Sequence, residues 1–476
     1  MITPYRPIIF SNILAYMLQN VEYDPVAYIR WLLRTHDFSK VMYRRTLEPT
    51  KAAKIFRLFA CVTMIFLYVS AVFIGMYAVG YAGVTGLLIP AALILLTPHL
   101  AALLILLPLI AARILISAPK EKRLIAASKE IFNKTNAVRI AVAGSYGKTS
   151  MKELLGTILS EGKNVAITPA NKNVASSHAL FAHKLKGTED VLVVEFGEGE
   201  PGDVKRFSET LRPNIVMITG IAPAHLDHYA TLDEAARDIF TAAEFVDAKN
   251  VYVNADSQLA RPYIKDGYTT YSEKGTHDAS VTNTQVTVSG LSFILKTKQS
   301  TYDIKTALLG RHTIGPLVAA ILIAEKMGLT HDQTMLGISK IRPYEHRMQP
   351  REQYGAWIID DTYNGNIEGM DAGLALLSEL EAKRKIYVTP GLVDQGVETE
   401  SVHIRLGELI ADANPTIVVL MRNSVTNYIQ KGLEQGGYAG EVRIETDPLD
   451  FYTNLENFVA GGDVVLMQND WPDNYA

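Results

Sequence analysis

The sequence predicts an α/β protein: a P-loop-type parallel central sheet and a second, Rossmann-like α/β C-terminal domain, preceded by a two-helix transmembrane hairpin. Three observations lead there. Residues 58–112 contain no Asp, Glu, Lys or Arg. From about residue 120 onward, β-rich apolar runs alternate with helical patterns, which is how a parallel sheet reads. One of those runs, 139–143, leads into Gly144-Ser145-Tyr146-Gly147-Lys148-Thr149-Ser150 and then a helical 151–159.

A spanning helix takes about 20 apolar residues, so the uncharged run fits two passes. Their turn is expected near Gly80–Gly83 or Gly86, and Pro90, Pro98 and Pro108 are tolerable in membrane helices. Arg44, Arg45, Lys51, Lys54 and Arg57 precede the run; Arg113, Lys120, Lys122 and Arg123 follow it. The positive-inside rule then puts both ends in the cytoplasm. The expectation is a multi-pass protein of the cytoplasmic (inner) membrane with its catalytic domains on the cytoplasmic side. Residues 1–50 read either as an interfacial amphipathic helix or as a plain cytosolic lead-in. The expected layout is 1–50 for that segment, 51–118 for the hairpin, 119–340 for a central nucleotide-binding domain and 341–476 for a second α/β domain.

In the central domain, strands are expected at 139–143, 191–195, 215–219 and 251–253. Antiparallel strands follow in 281–306, and then a helix at 316–327. The second series has strands at 357–361, 385–389, 416–421 and 464–467. A net charge of −4 leaves no basic footprint for nucleic acid. The single cysteine, Cys61, rules out a disulfide framework and a cysteine-held zinc site.

The chemistry begins at the glycine-punctuated loop. Gly144 and Gly147 let the backbone turn its N–H groups toward phosphate oxygens. The following helix N-terminus adds a favourable dipole. Lys148 would reach the terminal phosphates, and Thr149 would offer its hydroxyl to Mg²⁺. Glu195 closes a wholly apolar strand, at the end where parallel sheets bind ligands, and is a candidate metal ligand.

The loop resembles the short G-x-x-G-K-T-[ST] of the Mur ligase family, and further motifs follow in that family's order. Glu195-Phe196-Gly197 is similar to its E-[LM]-G. His225-Leu226-Asp227 is similar to its H-[LM]-[DE], which puts His225 beside a second Mg²⁺. Asn171 and Asn173 resemble a loop between the phosphates and the acceptor, and Asn254-Ala255-Asp256 echoes an N-x-D. Arg347, in Pro343-Tyr344-Glu345-His346-Arg347, matches a hinge arginine that meets the nucleotide phosphates. Asp360-Asp361-Thr362-Tyr363-Asn364-Gly365-Asn366 looks like the D-D-[ST]-Y-N-A-N-P of the MurF-like branch, where Asp361 would face ribose and Asn364 adenine.

The resemblance implies ATP and Mg²⁺ as cofactors. It implies an ADP-forming C–N ligase that works through an acyl phosphate, with Lys148, His225 and Arg347 as catalytic groups. Gly144, Ser145, Gly147, Lys148, Thr149, Ser150, Arg347, Asp361 and Asn364 would bind nucleotide. Thr149, Glu195 and His225 would hold metal, and Asn171 and Asn173 would bind substrate. The partners implied are a cell-envelope precursor, lipid-linked if the hairpin replaces a UDP-binding domain, and an amino acid or dipeptide. Alternatives are a poly-glutamate-type synthetase or a degenerate nucleotide-binding ligase that serves as a scaffold.

Four departures mark this chain. No lysine follows His225 at the family's offset, which leaves Asp238 or Glu244 to supply that carboxylate. Gly310-Arg311-His312-Thr313 lacks the family's adenine-reading asparagines. A K-G-S-R loop is replaced by Gln468-Asn469-Asp470-Trp471, and the UDP-binding domain is missing. His403 is expected to be structural.

Overall fold

In the computed structural model the described residues are 3–21, 23–35, 37–41, 47–169, 173–223, 229, 231–363, 365–392, 395 and 398–469. They form two compact units, one up to Arg123 and one from Leu124 onward.

The first unit is helical: α1 (Pro7–Asn20), α2 (Pro25–Arg34), α3 (Lys51–Ala82), α4 (Leu88–Leu104), α5 (Leu106–Ala112) and the start of α6 (Ala118–Lys134). Asp24 caps α2 by accepting from Ala27 N at 2.8 Å, and Thr50 caps α3 by accepting from Ala53 N at 3.1 Å. Gly83 ends α3 at φ 59°, a left-handed conformation that suits a glycine after a helix. The turn Gly83–Leu87 then reverses the chain. Gly86 lies against the end of α3, where a Cβ would collide with Ala78 O. Pro98 and Pro108 withhold helix donors, and the helix breaks between them at Ile105. Phe10, Leu14 and Leu18 of α1 are fully buried, packed with Tyr28, Phe56, Met64 and Ile105. Lys51–Tyr81 and Gly83–Lys134 are long and apolar enough to cross a membrane by length and composition.

The second unit opens with β1 (Val138–Ala143), α7 (Lys148–Leu159), β2 (Val165–Ile167), α8 (Ala175–Ala182) and β3 (Val191–Glu195). It continues with α9 (Asp203–Leu211), β4 (Ile215–Ile218), α10 (Leu232–Phe240), β5 (Val251–Asn254) and β6 (Thr269–Tyr271). These strands form one parallel sheet in the order β2-β3-β1-β4-β5-β6. Every residue of β3 and β4 is buried, as expected of strands covered by helices on both faces. A small antiparallel sheet follows, with β7 (Gly275–Thr276), β8 (Ala279–Thr287), β9 (Gly290–Lys296) and β10 (Thr301–Thr306). On β10, Tyr302, Ile304 and Thr306 are buried and alternate with exposed residues, the pattern of a one-sided sheet. Helices α11 (Ile314–Lys326) and α12 (His331–Lys340) return to the parallel sheet. Thr330 and Gln333 form a reciprocal cap on α12. Leu317, Val318 and Ile321 of α11 join Met151, Leu155 and Ile158 of α7 in one core, and α9 and α10 cover the opposite face.

The second α/β series comprises β11 (Gln349–Gln353), β12 (Ala356–Asp361), α13 (Ile367–Glu379), β13 (Lys385–Thr389) and α14 (Thr399–Ala413). After these come β14 (Ile417–Met421), α15 (Thr426–Gln435), β15 (Glu441–Glu445) and β16 (Val464–Gln468). The strand order is β11-β12-β16-β13-β14-β15, and β11 runs antiparallel to β12. The apolar strands stand where the pattern predicts them, within a residue or so. The pattern does not reveal β2, β6, β11 and β15, the outer strands of the two sheets. They are three residues long or polar, as sheet edges tend to be.

Register sets up the site. Glu195 pairs with Val142, and Ile218 pairs with Ala143. The turns after β1, β3 and β4 therefore open at one edge of the sheet, where such folds bind ligands.

In the second series α14 crosses α15 at glycine. A Cβ on Gly432 would collide with Ile404 O and stand 2.8 Å from Gly407 Cα. Gly432→Ala is expected to destabilise the protein by about 1–3 kcal/mol through overpacking, read as a lowered urea midpoint at unchanged slope.

Candidate functional site

The loop after β1 is built on two glycines. Gly147 adopts φ 74° directly before α7. At Gly144, φ is 146°, and a Cβ would collide with Thr219 Oγ1 and stand 2.9 Å from Gly220 O. Ser145 N donates to Gly220 O at 2.8 Å, and Thr219 Oγ1 donates to Tyr146 O. The loop is thereby fastened to the turn after β4.

Glu195, at the end of β3, is the meeting point of α7, α8 and the loop from β2 to α8. Its backbone N donates to Thr168 Oγ1 at 3.1 Å, and its carbonyl bonds His178 Nε2 at 2.7 Å. Its Oε1 accepts from Thr149 Oγ1 at 3.2 Å and from Asn173 Nδ2 at 3.4 Å. Its Oε2 lies 3.3 Å from the fully buried Lys152 ammonium. The structure thus brings together Thr149, Glu195 and Asn173, and adds Lys152. A hydroxyl and a carboxylate oxygen this close are a donor set that suits a divalent cation. Burial pushes the His178 imidazole down to about 4, so it serves as a neutral strut.

Lys148 does not face open solvent. Its ammonium binds Gly144 O and both oxygens of buried Glu198, at 2.9 and 2.7 Å. Beyond Glu198, Asp238 accepts from Gly202 N at 3.0 Å and from Tyr229 Oη at 2.9 Å. Both Asp238 oxygens are therefore engaged, while Glu244 is exposed. His225, Asn171 and Asn364 lie outside the described residues.

A cavity of about 480 Å³ joins the phosphate loop to the second α/β series. Tyr146, Gly147 and Ser150 line one side; Arg347, Asp361 and Glu368 line the other. The Arg347 guanidinium stacks on Tyr363, 4.4 Å from the ring centroid, a favourable cation–π arrangement. Asp361 accepts from Met348 N at 3.1 Å and from Gln468 Nε2 at 2.8 Å. Burial nonetheless holds its carboxyl up, to about 6. Asn469 accepts from Gly365 N at 3.0 Å and donates to Gly391 O. Gln468 and Asn469 thus fasten the 361–369 segment to the end of β16. His403 is structural: it is buried and its Nε2 accepts from Leu392 N at 2.9 Å.

Sequence reading missed Glu198 and Lys152, and met Gln468 only as a departure from the family's K-G-S-R loop. Glu198 had a signal, since Glu195-Phe196-Gly197-Glu198-Gly199-Glu200 puts three carboxylates directly after a buried strand. Lys152 had none, since it shares its helix face with Lys148 and Thr149 as well as Leu155 and Gly156.

Two family models match the chain: the Mur ligase middle domain over residues 142–324, and the Mur ligase, glutamate ligase domain, over residues 346–468. The chain belongs to the Mur ligase family. Curated relatives include the UDP-N-acetylmuramoyl-tripeptide–D-alanyl-D-alanine ligase of Escherichia coli (strain K12). It is 27% identical over 279 residues, which is 56% of this chain and 61% of the relative. The enzyme of the same name from Mycobacterium leprae (strain TN) is 25% identical, over 69% of this chain and 70% of the relative. This chain spans about three-fifths of the length of the first of these relatives. Among solved structures, MurF from Acinetobacter baumannii superposes with TM-score 0.65 at 21% identity, over 73% of this chain and 77% of that one. The MurF ligase of Thermotoga maritima in complex with ADP gives 0.64 at 20%, over 74% and 80%. These likenesses establish the fold: parallel α/β sheets with a Mur ligase-like C-terminal domain.

The comparisons also correct the inner-membrane expectation. The relatives are named as ligases of a UDP-linked precursor, and the two apolar helices qualify by length and composition alone, a test that core helices of soluble proteins also pass. Length and composition cannot separate a spanning helix from such a helix.

Removing Lys148 would strand Glu198 as a buried, unpaired carboxylate. Lys148→Met is expected to cost about 3–5 kcal/mol of stability. Adding Glu198→Gln should recover most of it, a coupling that a double-mutant cycle of urea denaturations measures.

Proposed function

We propose that this chain is an ATP-dependent, ADP-forming ligase that joins an amino acid or dipeptide to a carboxylate of a cell-wall peptide precursor. The observation that carries the reading is the 3.2 Å approach of Thr149 Oγ1 to Glu195 Oε1 at a glycine loop whose lysine heads α7. Family membership and the relatives' names, which describe addition of D-alanyl-D-alanine to a UDP-linked tripeptide, support the choice of substrates.

Backbone N–H groups of Gly144–Ser150 and the N-terminus of α7 would receive the nucleotide phosphates. Lys148 would exchange Glu198 for the terminal phosphates. Thr149 and Glu195 would hold a magnesium ion, which when bound neutralises charge on the transferring phosphoryl group. Arg347, held flat by Tyr363, would meet the phosphates from the second domain, and Asp361 would accept from ribose. An oxygen of the acceptor carboxylate attacks the γ-phosphorus; the bond to ADP breaks and an acyl phosphate forms. The amine nitrogen then attacks the acyl carbon, and inorganic phosphate leaves. Closure of the cavity would keep water from that intermediate.

Purified protein should release phosphate from ATP only when acceptor and amine are both present, with an amide product visible by mass spectrometry. The assay pairs UDP-linked and lipid-linked peptide acceptors with amino acids and D-alanyl-D-alanine. Lys148→Arg keeps a cation against Glu198 but misplaces it, and should lower the rate by on the order of a hundredfold. Nucleotide binding without amine-dependent turnover, for every pair, would instead make the protein a scaffold.

A further inference from the structure

Glu198 lies in the turn between β3 and α9. Its side chain is 4% exposed, and both of its oxygens rest on the Lys148 ammonium. Further carboxylates stand nearby. Burial first, and then the charges of Asp238, Glu198 and Asp203, push the Tyr229 phenol up. Asp203 has Arg206 as its cation, and Asp238 is met by the phenol and by Gly202 N. Glu198 has Lys148, the residue that the nucleotide's phosphates would draw away. Carboxylate and phosphate would then be close neighbours of like charge, nearly out of water, where repulsion is strong. A divalent cation shared by the two removes that conflict. Carboxylate and phosphate oxygens are also the donors that Mg²⁺ takes.

Helix α10 does not supply such a ligand. Over the stretch where the family's lysine is missing it carries Ala235, Ala236, Arg237 and Asp238. Both Asp238 oxygens are already engaged, and Glu244 is exposed. We infer that Glu198 supplies the carboxylate instead: as nucleotide takes Lys148, Glu198 passes from the lysine to a second Mg²⁺ that it shares with the terminal phosphate. The inference rests on the ligase reading above and names a ligand that reading leaves open. That ion, when bound, neutralises charge on the phosphoryl group in transit. His225, which the family resemblance puts beside it, lies outside the described residues. Glu198 thus serves both states of the loop. It is counter-ion to Lys148 before nucleotide arrives and metal ligand afterwards, so it is not left as an unpaired buried carboxylate in either.

The test uses the full chain with the non-hydrolysable β,γ-imido analogue of ATP, in Mn²⁺ or in EDTA. Electron paramagnetic resonance counts bound Mn²⁺, and calorimetry measures affinity for the analogue. Wild type should take up two Mn²⁺ with the analogue, and Glu198→Gln one fewer. In EDTA the Glu198→Gln protein should bind the analogue about tenfold more tightly than wild type, because the competing charge is gone. With saturating Mn²⁺ the order should reverse by about the same factor, because a ligand is gone. A variant whose affinity shifts the same way in both conditions, or that takes up as much Mn²⁺ as wild type, leaves Glu198 as a counter-ion alone and overturns the proposal. So does wild type with a single bound Mn²⁺. Glu198→Asp keeps a charge against Lys148 and decides the matter if Glu198→Gln does not fold. Its retracted carboxylate should weaken the second Mn²⁺ by about tenfold, and Mn²⁺ binding equal to wild type overturns the proposal. A wild-type protein that binds no analogue in either condition overturns the ligase reading itself.

Discussion

The site is organised by one carboxylate at the end of a buried strand. Glu195 cannot move without disturbing three other segments: the loop from β2 to α8 through Thr168 and Asn173, α8 through His178, and α7 through Thr149 and Lys152. A carboxylate this deep is tolerable only if its charge is met and its oxygens are occupied. Lys152 supplies the charge from one turn inside α7, and Thr149 supplies a hydroxyl from its first turn. The helix that carries the phosphate loop is thus positioned by the strand that carries the carboxylate. Loop and carboxylate keep their spacing because they share one electrostatic anchor.

Much of this was legible because it depends on local chemistry. The glycines at 144 and 147 are demanded by backbone angles and close approach, so they announce the turn. Apolar strands between helical patterns announce the parallel sheet, and a carboxylate at the end of such a strand announces the site. The hidden parts are those whose partners are far away in the chain. Glu198 meets a lysine 50 residues earlier, and Gln468 meets a carboxylate 107 residues earlier. Glutamate, glutamine and lysine usually sit on surfaces, so their types alone gave no hint of burial. The edge strands β11 and β15 were hidden for the opposite reason, because their residues are as polar as a loop's. The apolar helices were misread because length and composition describe a helix without describing what surrounds it.

The second α/β series shows how a site changes chemistry without changing its frame. The end of β16 and the start of α13 face the same cavity, yet Gln468 and Asn469 spend their side chains on neighbouring backbone and on Asp361. The 361–369 segment is thereby held in place by neutral amides. The amides add no further charge to those of Arg347 and Asp360 beside Asp361, whose carboxyl titrates high for want of water.

The ion pair of Lys148 with Glu198 has a consequence for which anions the loop will accept. Both side chains are nearly dry, so dissolved salt screens them little. A monovalent anion would have to separate them while offering less than the bidentate carboxylate already gives. A polyphosphate, with several charges and the loop's N–H groups to share, can outcompete it. Glu198 would thus act as a placeholder on Lys148, one that an ion of low valence would not displace.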